Sequence, residues 1–315
     1  MAWIIGIDEA GYGPNLGPLV VTATVWKVNG LPQQVDLWNV FARSISHGAT
    51  TDRNRIQIAD SKQVYSPARG IAALERSVLT ALALIADFPL SFGELWTFLT
   101  QSPANQLEVE PWFQGRDLAL PRCVTASQIE ETAAACQADG ARSGVQLHAV
   151  RTDVVLTQRF NELVDHFGSK GVALSTISLQ LLASVWDHTD GQPALVIADK
   201  HGGRNRYDEL LGEALGNPLV FRLQESRDIS RYRIGNSEVR FEAKGEKHLP
   251  VALASLVSKY TRELAMDLFN AFWREHLPDL KPPKGYPTAA RRFRADISAR
   301  QHELGIADEV LWRTR

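Results

Sequence analysis

Apolar residues along this chain alternate between short dense runs and longer stretches with helical spacing. Residues 3–7 (Trp-Ile-Ile-Gly-Ile) and 19–25 (Leu-Val-Val-Thr-Ala-Thr-Val) are two such runs. Short runs of this kind, the second rich in β-branched residues, predict buried strands. Leucines and alanines at helical spacing predict a helix over 68–86, opening at Ser66-Pro67 and ending before Pro89. Residues 90–122, with two tryptophans and several prolines, read as irregular structure with a short helix. A helix over 125–138 and an alternating strand over 144–152 follow. Helices are expected over 156–167, stopped by Gly168, and over 173–188. A compact apolar strand is expected over 193–198, a helix over 206–215 and a strand over 218–223. A hairpin over 229–241 should turn at Gly235-Asn236. Residues 251–273 read as a long helix, and a basic helical segment lies beyond Pro282-Pro283. Strands mixed with helices in this order predict an α/β fold, a mixed sheet covered by helices. No internal repeat or low-complexity segment stands out.

Composition narrows the function. The 315 residues are 44% hydrophobic and 22% charged, which suits a globular protein with a large core. A net charge of -2 argues against a strong nonspecific polyanion binder, but it leaves room for a local basic groove. The two cysteines, Cys123 and Cys136, lie too far apart for a C-x-x-C motif and read as free thiols, which points to the cytoplasm. No signal peptide and no apolar run of membrane-spanning length is visible. The eight histidines show no zinc-binding spacing.

The candidate chemistry lies in carboxylates at element ends. Asp8-Glu9 follows the first strand and precedes a turn built from Gly11, Gly13, Pro14, Asn15, Gly17 and Pro18. The glycine spacing is one residue too long for a dinucleotide fingerprint, and a β-rich run follows where that motif needs a helix. Asp199 follows the strand expected over 193–198, and Glu246 precedes the long helix. If those two strands are neighbours, Asp8 and Asp199 meet, and carboxylates so close repel unless cations neutralise them. Two divalent ions about 4 Å apart would do so, and that arrangement cleaves phosphodiesters. Taken singly, each carboxylate is equally a solvated turn residue or a favourable charge at a helix start. Lys62, in Asp60-Ser61-Lys62, and Lys259 on the long helix are candidate phosphate contacts. Tyr286, in Lys284-Gly285-Tyr286, is a candidate stacking residue.

Together these pieces resemble the type 2 ribonucleases H, the ribonuclease HII family. The resemblance rests on six motifs in the family's order. They are the opening 6–13 with Gly17-Pro18, Asp60-Ser61-Lys62, Val196-Ile197-Ala198-Asp199, Lys244-Gly245-Glu246, the helix segment 254–263, and Lys284-Gly285-Tyr286-Pro287-Thr288. Tyr12 stands where the family carries arginine, and Glu246 where it carries aspartate. The resemblance implies a ribonuclease H-like mixed sheet within a catalytic domain over 1–275. An inserted lobe would span about 89–151, and a helical extension over 276–315 would contact substrate. It implies hydrolysis of the RNA strand of RNA–DNA hybrids, or of DNA containing ribonucleotides, with two Mg²⁺ or Mn²⁺ ions. Products would carry 5′-phosphate and 3′-hydroxyl ends. Asp8, Glu9, Asp199 and Glu246 would hold the metals, with Asp8 bridging. Gly11, Tyr12, Gly13, Ser61, Lys62, Lys259 and Tyr286 would bind substrate, the glycine turn reading the 2′-hydroxyl. A monomer is expected. The alternatives are a nucleic-acid-binding pseudoenzyme and a DNA-directed nuclease of the same fold.

Overall fold

The computed structural model describes residues 1–283 and 287–314, except for the side chains of Pro287 and Thr288. In chain order its strands are β1 (Ala2–Ala10), β2 (Leu19–Val28), β3 (Ile45–Ser46), β4 (Ile56–Gln57), β5 (Gln146–Val155), β6 (Ala194–Asp199), β7 (Val220–Glu225), β8 (Ile229–Ile234) and β9 (Ser237–Glu242). Among the described residues, seven of them form one mixed sheet in the order β5-β2-β1-β6-β9-β8-β7, and β3 and β4 form a separate parallel pair. In the large sheet β1 runs antiparallel to β2 and parallel to β6, and β6 runs parallel to β9. The mixed α/β sheet flanked by helices is therefore the architecture expected from the alternation of elements.

The central strands β1, β2 and β6 are mostly apolar because both faces are covered. On one face lies the long helix Leu249–His276, with the helix Ala72–Leu82 beside it. On the other lie the helices Thr157–Phe167, Lys170–Val185 and Asp208–Ala214. Alternation divides β1 between these layers. Ala2 and Ile4 join the long-helix core, and Ile5 and Ile7 join the opposite one. Gly6 shares the parity of Ile4. A Cβ there would lie 2.2 Å from the carbonyl carbon of Pro250, so only glycine lets the helix start reach the strand. Thr24 Oγ1 donates to the carbonyl of Pro250 at 2.9 Å beside this approach.

Several boundaries differ from the sequence reading. β1 and β6 extend one to three residues further and carry Asp8, Glu9 and Asp199 inside their last residues, because ladder pairing continues to Ala10↔Val20 and Asp199↔Glu242. Pro67 opens a tight turn rather than a helix. Gly70 N donates to the carbonyl of Ser66 at 3.0 Å, and the helix begins at Ala72. Asp60-Ser61-Lys62 is not a plain loop. Asp60 caps a one-turn helix, Ser61–Val64, by accepting from Lys62 N at 2.9 Å.

Within 89–151, Ser91 caps the helix Phe92–Thr100. Trp112 packs edge-on against Phe269 of the long helix with ring centroids 4.9 Å apart. The segment's last residues enter the main sheet as β5. Further on, Phe293 of the helix Pro287–Glu303 packs 5.6 Å from Phe269 and 5.7 Å from Trp273. Each aromatic buried this way contributes about 1.5–3 kcal/mol by removing apolar surface from water.

Candidate active site

The site is built where three parallel strands end. The ladder pairs Gly6 with Ile197 and Ile7 with Ala198. Asp8 and Asp199 are the next residues on each strand, so they sit side by side at roughly the 5 Å spacing of neighbouring strands. Both share the parity that faces the long helix, since Leu195 and Ile197 cluster with Val251. Glu9 takes the opposite parity. Glu246 arrives from the connection between β9 and the long helix. There Lys244 adopts a left-handed conformation (φ +61) and turns the chain so that Gly245 N donates to Asp199 Oδ1 at 2.8 Å. A Cβ on Gly245 would press to 3.2 Å from the Asp199 backbone.

The electrostatics mark these four acids as a group. Burial pushes the Asp8 carboxyl well above the usual carboxylate range, and repulsion from Glu9, Glu246 and Asp199 adds to it, against a hydrogen bond from Ser255. Half-buried Glu9 is pushed up to about 8 by burial and by Asp199 and Glu246, with Lys62 opposing. Burial raises Asp199 against the donors of Gly245, Lys200 and Lys244 and the charge of Lys62. Burial also raises Glu246, and Asp199 and Asp60 add to it, while its own backbone N–H and Lys62 oppose. Four carboxylates thus share one neighbourhood, with Lys62 as the opposing cation of three of them. Hard oxygen donors of this kind suit Mg²⁺ or Mn²⁺. Among the described residues no three acidic, histidine or cysteine side chains close tightly enough to enclose an ion as they stand. The donor set fits divalent cations as a shared pocket rather than as a finished ligand shell.

Glu242 provides a contrast. It lies beside Asp199 in the ladder and is buried, yet its pKa is pulled down to about 2 by His248 and Lys247. His248 Nε2 lies 3.1 Å from its carboxylate and Lys247 Nζ 2.5 Å. Glu242 is already neutralised by its neighbours, whereas the four acids of the cluster are not.

The glycine turn is held from behind. Gly11 has φ +90, and a Cβ there would lie 2.5 Å from Arg262 Nε. Arg262 donates to the carbonyl of Leu16 at 2.9 Å. Arg313 donates to the carbonyls of Gly11, Tyr12 and Gly17, and its guanidinium stacks 3.8 Å above the Phe160 ring. Two arginines thus occupy the carbonyls of Gly11, Tyr12, Leu16 and Gly17 in the turn. Tyr12 is half-buried beside Glu9, and its hydroxyl pKa is raised by burial and by Glu9, against Arg204 and Arg313.

The structure also describes Ser61, Gly13 and Lys259. Ser61 starts the one-turn helix beside Lys62, and Gly13 is exposed. Lys259 Nζ is ion-paired to Glu263 at 2.6 Å and lies over the Tyr65 ring, so its charge is engaged within its own helix. Tyr286 lies outside the described residues.

The sequence reading missed the loop that follows Asp199. Lys200 Nζ donates to Asn205 Oδ1 at 2.8 Å and to the carbonyl of Ser226 at 2.6 Å. His201 is buried beside Ser175, and burial pushes its pKa down to about 3, so it is a neutral anchor. These anchors present Arg204 close enough to Tyr12 for its charge to be felt there. The glycine pair Gly202-Gly203, three residues after the strand-end Asp199, is the available signal. Asp60, which acts on Glu246, has no signal in the sequence beyond its place in Asp60-Ser61-Lys62.

No family model and no curated protein matches the chain. Among solved structures it is similar to a chain of the PCNA:RNase HII complex from Archaeoglobus fulgidus, at 15% identity, covering 99% of this chain and 94% of that one, with a TM-score of 0.41. It is also similar to the ribonuclease H2 from Pyrococcus horikoshii OT3, at 15% identity, covering 98% and 92%, with a TM-score of 0.46. A third similarity is to Bst-RNase HIII in complex with Mn²⁺, at 16% identity, covering 99% of this chain and 66% of that one, with a TM-score of 0.41.

Proposed function

We propose that this chain is a divalent-metal-dependent endonuclease that hydrolyses the RNA strand of RNA–DNA hybrids. The observation that carries the reading is the convergence of Asp8, Glu9, Asp199 and Glu246, with Lys62 opposing the charge of three of them. A fold that places four such carboxylates together does so at a cost, and bound cations offset that cost.

The four carboxylates would hold two Mg²⁺ or Mn²⁺ ions, which supply an activated water and a stabilised leaving oxygen. The chain's own residues do the rest. The Gly245 N–H fixes the rotamer of Asp199. The Ser258 hydroxyl bonds the carbonyl of Asp8 at 3.2 Å and the hydroxyl of Thr22 at 2.8 Å, tying the end of β1 to the long helix. Protons held on the raised carboxyls would be released on metal binding. Lys62 offers a charge to the scissile region's phosphates. The arginine-braced turn 11–17 would present backbone groups to the ribose 2′-hydroxyl, the atom that separates RNA from DNA.

The test is cleavage of an end-labelled RNA–DNA hybrid, beside the matching DNA duplex, with Mg²⁺ and Mn²⁺ in turn. Nicking of the RNA strand that Asp8→Asn abolishes supports the reading. A folded protein that binds the hybrid and leaves it intact with either metal replaces the reading with a noncatalytic one.

A further inference from the structure

A cavity of about 660 Å³ opens next to the acidic cluster, lined by residues of β4, the one-turn helix Ser61–Val64 and the helix Ala72–Leu82. Four cationic side chains line it: Arg55, Lys62, Arg69 and Arg76. No aspartate or glutamate does. For a chain of net charge -2 this is a local concentration of one sign.

The bland explanation is that these arginines only brace their loops. Arg55 Nη2 does donate to the carbonyls of Ala42 and Ile45, at 3.1 and 2.7 Å. Arg76 Nη2 donates to Thr132 Oγ1 at 3.0 Å and to the carbonyl of Arg53, and Arg69 donates to the carbonyl of Gln63. Every one of those partners is a neutral oxygen. Among the described residues none of the four cations has a carboxylate within 4.0 Å. The Nε atoms of Arg55 and Arg76 are buried without a hydrogen-bond partner. Asp52 and Glu131 act on Arg76 from further off, yet burial outweighs them and lowers its pKa. Bracing does not need four charges around one void, and an anion in that void accounts for them.

The kind of anion follows from position. Lys62 lines this cavity and its charge also reaches Glu9, Asp199 and Glu246, so one lysine side chain links the cavity to the acids. We infer that the cavity holds backbone phosphates of the nucleic acid that enters the acidic site, with Arg55, Arg69 and Arg76 as their ligands. This rests on the nuclease reading and adds to it a phosphate track running away from the cut. Guanidinium forks match phosphate oxygens, and such contacts position a duplex without reading its sequence.

The experiment uses the full chain carrying Asp8→Asn, to prevent cutting, and a fluorescent RNA–DNA hybrid followed by anisotropy across a salt series. Arg69→Gln and Arg76→Gln are added singly. Arg69 is exposed, so its variant stays folded, and the melting temperature of each protein is checked. Each variant is expected to weaken binding about threefold to tenfold and to lower the slope of log K against log salt by about one. Arg69→Lys should restore most of the loss. Unchanged Kd and slope in folded variants overturn the inference, while wild-type cleavage of the hybrid would leave the nuclease reading standing. AMP that binds the wild type in calorimetry, with hybrid affinity untouched by either variant, overturns it in favour of a free nucleotide. A wild type that neither binds nor cuts the hybrid removes the nuclease reading itself.

Discussion

Arg313 donates to the carbonyl of Gly11, joining residues 302 positions apart and holding the turn that follows the first two acids. The guanidinium is almost wholly buried, at 3% exposure, and burial and Arg262 together lower its pKa to about 9. Arg313→Ala leaves carbonyls of the turn without their donor. A loss of about 1–3 kcal/mol in denaturant unfolding is expected, with a larger proportional loss of cleavage rate than of hybrid affinity. Arg313→Lys should recover little, because an ammonium lacks the planar fork that reaches several carbonyls at once.

The acidic cluster makes an opposite prediction for stability. Asp8 is buried among like charges, so Asp8→Asn removes repulsion and should raise the melting temperature in EDTA. Saturating Mn²⁺ or Mg²⁺ should stabilise the wild type by about 2.7 kcal/mol at a hundred times Kd, and the variant far less. Equal metal-induced shifts in the two proteins would place the cations elsewhere.

Stability of the metal-free protein should also fall as pH rises. Glu9 ionises near 8 in the folded chain and near its ordinary value, 4.5, when unfolded. The native state therefore binds more protons between those values, and stability declines across that window. The contribution is fully present below 4.5 and gone above about 8. Urea titrations at pH 5, 6.5 and 8 in EDTA measure this, and Glu9→Gln should flatten the trend.

Glu242 should behave in the reverse sense. Its pKa is pulled down to about 2 by His248 and Lys247. Its stabilising contribution is present above the ordinary glutamate value and is lost as pH falls through 2. Glu242→Gln should cost about 1–3 kcal/mol at pH 7 and leave the metal-induced melting shift intact, because this carboxylate is already engaged.

Gly6→Ala is expected to be among the most damaging single substitutions. Its methyl would need the space of the Pro250 backbone, 2.2 Å away. Overpacking of this kind costs typically 1–3 kcal/mol and more where backbone must shift. It would also push the long helix, and with it Glu246, away from Asp8. Circular dichroism melts and the cleavage assay together separate the two effects.

Much of the sheet was legible because its strands speak locally. The runs at 3–7 and 19–25 are dense in apolar and β-branched residues, and Gly235-Asn236 marks its own hairpin. Asp8 and Asp199 could be paired in advance because both close such runs. What was not legible depends on distant partners or on elements too short to show a period. The parallel pair β3–β4 has two residues in each strand. Pro67 carried a helix-start signal that its turn overrode. The burial of Arg262 and Arg313 and the common void of Arg55, Arg69 and Arg76 arise only when remote segments pack.

The side-by-side arrangement of β1 and β6 sets the order in which this protein becomes competent. Residues 7 and 198 must find each other before the two aspartates meet, and so wide a loop loses chain entropy before any contact rewards its closure. A chain that has formed its helices but not zipped this central seam carries its acids on separate, hydrated ends. In such a half-made molecule the carboxylates of the two strands do not yet share a pocket.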